Sequence, residues 1–91
     1  MSQLNELITA IFARYGKDTL GAIKELFILL GDQPGASQST VQMAILYAME
    51  TLHEWDNVIS YAEKWKMDSF KQGFVNRMKR RVKETESNVL I

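Results

Sequence analysis

The chain is 91 residues long and 46% hydrophobic, with eleven basic and eleven acidic side chains and no cysteine, which excludes disulfide staples and thiolate zinc sites. A chain of this length makes one domain, residues 1–91, and buries only about 60–65% of its unfolded surface, so packing or assembly must hold the fold. The charge is sorted by position: residues 1–63 carry three basic groups (Arg14, Lys17, Lys24) against eight acidic ones, and residues 64–91 carry eight basic against three acidic, so neutrality is −5 followed by +5.

A first helix is predicted over 3–15, where Leu4, Leu7, Ile8, Ile11, Phe12 and Tyr15 fall within roughly 140° of arc. Gly16 then suits a left-handed cap and Asp18 can cap a second helix over 19–30, so these two helices meet in a tight turn. The second helix has a stripe of Leu20, Ile23, Phe27 and Leu30, but Leu26, Ile28 and Leu29 spread apolar surface around its end. The segment Asp32-Gln33-Pro34-Gly35-Ala36 reads as the clearest loop.

Ser39-Thr40-Val41-Gln42 has the spacing of a capping box and opens a third helix over 40–53. Its stripe is Val41, Ala44, Ile45, Ala48, Met49 and Leu52, with Met43, Leu46 and Tyr47 on the flanks, so it can contact two neighbours. Asp56 is a good N-cap for a fourth helix over 57–66 carrying Val58, Ile59, Tyr61, Ala62 and Trp65. After Met67-Asp68-Ser69, an arc of Phe70, Phe74, Val75, Met78 and Val82 marks a fifth helix over 69–84. No segment alternates with period two, so the expected class is all-α: about five short helices in a bundle or solenoid-like array, the third and fourth forming an antiparallel hairpin.

Chemistry is not declared by any motif. No Walker-type or dinucleotide fingerprint occurs, no serine has a histidine placed by a recognisable motif, and the expectation is a protein that is not an enzyme and needs no cofactor. Glu50 and His53 have the i, i+3 spacing of di-iron bundles, but they stand alone off the apolar stripe and read as a solvated helix end; no metal site is expected. Ser37 to Val41 has the look of a recognition helix, yet Pro34 and Gly35 lengthen the turn and few cations follow, so nucleic acid is not the expected partner.

Surfaces carry the functional reading. The apolar excess on the second and third helices predicts a groove lined by Phe27, Leu30, Met43, Tyr47, Trp55, Tyr61 and Trp65 that would bury a partner helix, with a homodimer seam as a further candidate. Arg77, Lys79, Arg80 and Lys83 form a basic face that would orient an acidic partner. The sequence starts without the pattern of a signal peptide, and the longest apolar run, Leu26 to Leu30, is too short to span a bilayer, so the expected location is the cytoplasm.

The stretch His53-Glu54-Trp55-Asp56-Asn57-Val58-Ile59-Ser60-Tyr61-Ala62-Glu63-Lys64 resembles the second half of a tetratricopeptide repeat, although Leu46 stands where the repeat has a small residue and Val58 and Trp65 replace alanines. Phe74 to Lys83 resembles the C-terminal helix of the small tetratricopeptide-like chaperones that hold type III secretion needle subunits. Over residues 40–83 this resemblance implies a bacterial, cytoplasmic chaperone that grips an amphipathic helix of an aggregation-prone subunit. A small regulator using the basic helix on nucleic acid or transcription machinery, and a toxin-immunity or phage-encoded inhibitor, are the alternative readings.

Overall fold

The computed structural model describes residues 3–89, with side chains described through Lys83. Five helices follow one another: α1 (Gln3–Tyr15), α2 (Thr19–Asp32), α3 (Gly35–Thr51), α4 (Trp55–Lys64) and α5 (Asp68–Val89). No strand occurs among the described residues, and none of the helices is long and apolar enough to cross a membrane. The protein is an all-α bundle.

Short turns, closed by local hydrogen bonds, set the order of the helices. Gly16 takes φ 56° after α1, and the Asp18 carboxylate accepts from Gly21 N–H at 3.0 Å to cap α2. A Cβ at Gly21 would run into that carboxylate and come within 2.8 Å of the Tyr15 ring, so the turn is built on a close approach only glycine allows. The ends of α3 and α4 repeat one device: the amides of Glu54 and Met67 donate to the carbonyls of Met49 and Ala62, and the residues before them, His53 and Lys66, take φ 60° and 57°. Both are Schellman closures made without glycine, and they reverse the chain within a few residues.

Two helix starts differ from the sequence reading by more than one residue, and the helix ends differ by up to five. Helix α3 begins at Gly35 rather than at residue 40, so the Asp32–Ala36 loop shrinks to Gln33 and Pro34, and Ser39 lies inside the helix instead of capping it. The reason is Pro34: its fixed φ of −65° suits the N-cap, and its carbonyl accepts from Ser37 N–H at 2.9 Å, so the helix winds directly from it. Helix α4 likewise begins at Trp55, with Glu54 rather than Asp56 at the cap position.

The helices pack as two layers. Each packs on its successor, and α1 also packs on α3. Tyr47 of α3 meets Phe70 of α5 edge-on at 4.8 Å, and Phe27 of α2 meets Tyr61 and Trp65 of α4 at 5.5 and 6.0 Å. Odd helices therefore form one layer and even helices the other, with Leu26, Val41, Ile45, Leu46, Val58, Ala62 and Phe74 sealed between them. Leu46 of α3 is a fully buried member of this core.

Candidate partner-binding site

The residues expected to line one groove are divided among three places. Phe27, Tyr61 and Trp65 form an aromatic cluster on the even layer, with Leu30 half-buried against the core. Met43 and Tyr47 sit on the odd layer beside a shallow hollow between α1 and α3. Trp55 alone reaches a third place, between α4 and α5. A single groove over helices two to four is not formed, because α2 and α4 pack their aromatic rings against each other across the second layer.

The basic face divides as well. Arg77 does not project with its neighbours: its Nε and Nη2 donate to the two carboxylate oxygens of Glu50 at 2.9 and 2.7 Å, a bidentate pair. Its guanidinium also lies 5.4 Å from the Phe70 ring centre and 5.6 Å from that of Tyr47. The hydrogen bond that Arg77 donates to Glu50 holds the Arg77 pKa above the ordinary arginine value, against the burial that would lower it. Arg77 is thus a pin between α3 and α5. Glu50, expected at a solvated helix end, is the one buried charged residue of the described core at 7% exposure, and Arg81 adds a second cation 3.9 Å from its carboxylate. The reason is that α5 lies over the flank of α3 that carries Glu50, a contact that a single helix's own stripe cannot reveal.

His53 donates its backbone N–H to the Glu50 carbonyl at 3.0 Å, but its side chain goes elsewhere. Its ring stacks on Trp55 at 4.8 Å, while the Arg81 guanidinium stands 5.3 Å from the Trp55 ring centre. No cluster of three or more potential metal ligands occurs among the described residues.

What remains open is an apolar groove of about 430 Å³ between α4 and the second half of α5. Trp55 and Ile59 form one wall, Phe74, Val75, Met78 and Val82 the other, and Lys79 stands at the rim. The volume falls within the range of ordinary ligand clefts, yet no polar group converges on its floor to orient a small molecule. Lys79, Arg80 and Lys83 are exposed and form no ion pair with a carboxylate among the described residues, whereas Lys71 is held by Glu63 at 3.1 Å. The groove is therefore apolar along its floor and cationic along its α5 side.

Ile59, Val75, Met78 and Val82 were assigned by the sequence pattern to helix stripes facing the body of the protein. A signal for the groove was present in the predicted lengths: a ten-residue fourth helix spans about 15 Å and cannot cover the 24 Å or so of a fifth helix over 69–84, and the observed α5 is longer still at 22 residues. Val82 is accordingly 55% exposed. Elsewhere Ile28 is 69% exposed beside a hollow crossed by the Arg14–Glu25 ion pair, where Asp32 leaves one surplus negative charge, opposite in sign to the rim of the α4–α5 groove.

Comparison with known proteins adds no relative: no family model matches the chain, and no curated protein or solved structure matches it either.

Proposed function

We propose that this protein is a non-catalytic protein-binding module, a small chaperone or adaptor that receives an amphipathic helix of a partner protein. The observation that carries this reading is the α4–α5 groove, an open apolar cleft with Lys79 at its rim and Lys83 one turn further along α5, neither of them paired with a carboxylate among the described residues. Burying an anchor side chain there supplies about 1.5–3 kcal/mol, so two or three anchors offset the ordering cost of a helix. The lysines add orientation and association rate, and they favour an acidic partner. Met78 on the floor lends the adaptability that a chaperone surface needs.

The layered α3–α4 hairpin supports the narrower reading of a tetratricopeptide-like chaperone in the bacterial cytoplasm, of the kind that serves type III secretion needle subunits. Arg81, held between Glu50 and Trp55, keeps the indole in place at the mouth of the cleft.

The test is capture of the partner from the source cell by the full chain and by two variants. Val82→Asp charges the groove, and Ile28→Asp charges the most exposed large apolar side chain among the described residues, which lies outside it. The reading expects one co-purifying protein that the wild type and Ile28→Asp retain and Val82→Asp loses. Retention by Val82→Asp would overturn it, as would binding of DNA or RNA, steeply salt-dependent and abolished by Lys79→Gln with Lys83→Gln, in the absence of any protein partner.

A further inference from the structure

The two-layer packing says what shape of partner the groove fits. Helix α1 is covered by α2 and α3, α2 by α3 and α4, and α3 by α4 and α5. Helix α4 has only one later helix on it, and α5 has none. The groove lies where the next member of the even layer would sit, against Ile59 of α4 and Val75, Met78 and Val82 of α5.

We propose that the groove is the sixth-helix position of the array, filled by a helix from another protein that runs antiparallel to α5 and parallel to α4, with acidic residues on the flank facing α5. This rests on the protein-binding reading above and adds the direction, length and charge of the ligand. Direction follows from electrostatics as well as from the alternation of the layers. A helix antiparallel to α5 puts its N-terminal turn beside Lys79 and Lys83, where first-turn carboxylates meet both those cations and their own helix dipole. At the other end, Lys71 and Glu63 lie one turn beyond Val75 and Ile59 respectively, and their 3.1 Å ion pair bridges the two helices and limits the cleft. From Val75, one turn inside that bridge, to Val82 the floor is about 11 Å long, room for three apolar anchors at i, i+3 and i+7.

Charge decides against a second copy as the occupant. The surface around the groove already carries the basic half of this chain, and a two-fold contact would set Lys79 and Lys83 against their own copies. A protein helix is favoured over a lipid surface because the apolar residues line a cleft between two helices rather than a convex face.

The experiment is an amide-shift titration of the full chain with a synthetic amphipathic peptide of the length of α2, 14 residues. It has apolar anchors at i, i+3 and i+7, glutamates in the first turn and along one flank, and a nitroxide at one end or the other. The expected result is saturable binding with shifts centred on Trp55, Ile59, Val75, Met78 and Val82. The N-terminal nitroxide should broaden Lys83, the C-terminal one should broaden Val75, and exchanging glutamate for lysine should weaken binding by about tenfold or more. Reversed broadening overturns the sixth-helix placement while leaving partner binding intact. The placement also fails if neither peptide binds at the groove, if raising the protein concentration alone reproduces the shifts, or if anionic vesicles reproduce them and the peptide does not. Partner capture that is insensitive to Val82→Asp overturns the broader reading as well.

Discussion

Helix α5 is two helices in its energetics. From Asp68 to Arg77 it belongs to the core: Phe70 and Phe74 are buried, and Arg77 is locked to Glu50 across the odd layer. From Met78 onward it runs past the end of α4, with Val82 exposed and with lysines that have no carboxylate among the described residues. The same spacing of apolar residues continues through both halves. What differs is whether another helix is present to cover it. A stripe therefore states that a face wants burial, and the neighbouring helix lengths decide whether this chain or a partner supplies it.

Substitutions in the two halves should separate stability from binding. The largest effect is expected from Phe74→Ala, which opens a cavity at a ring that is 1% exposed and touches Trp55 at 5.9 Å. A loss of about 3–5 kcal/mol should appear in urea unfolding as a lower midpoint. Next comes Glu50→Gln, which leaves the Arg77 guanidinium without its counter-charge. Because Arg77 keeps partial access to water, the cost should fall at or below the range for a severed buried pair, about 2–3 kcal/mol by the same measurement.

In the outer half the order inverts. Val82→Asp, at a largely exposed position, should change stability by no more than about 0.5 kcal/mol while abolishing partner capture. The smallest change in stability is expected from Lys79→Gln with Lys83→Gln, which breaks no ion pair among the described residues. Its signature should instead be kinetic: slower association with the partner and a flatter dependence of that rate on salt, measured by stopped flow. If Val82→Asp unfolds the protein as Phe74→Ala does, the two halves of α5 are not distinct.

Much of this architecture was legible in the chain. The five helices follow from apolar residues three and four apart, and the α1–α2 turn follows from Gly16 and Asp18, because caps and periodicity act over a few residues. The start of α3 was not legible, since Pro34 and Gly35 serve equally well in a loop or at a helix start, and only the Ser37 N–H bond to the Pro34 carbonyl shows which of the two was taken. Glu50 was misplaced for a related reason. Its partner Arg77 is 27 residues away, and nothing in either helix alone indicates that they meet. The candidate site suffered the same limit: Phe27, Tyr61 and Trp65 are large and aromatic, but they satisfy one another, and the groove falls to the less conspicuous Ile59, Val75, Met78 and Val82. Trp55 alone of the expected lining residues belongs to it.

That tryptophan also gives the most direct test. The protein has two tryptophans, Trp55 at the groove and Trp65 in the even-layer cluster, so Trp65→Phe leaves a single reporter in the wall of the proposed site. Titrating this variant with the captured partner, or with the glutamate-flanked peptide, should shift the Trp55 emission to shorter wavelength in a saturable manner, and adding Val82→Asp should abolish the shift. Complex formation by sedimentation with no change in Trp55 emission would contradict the account and place the binding surface elsewhere on the protein.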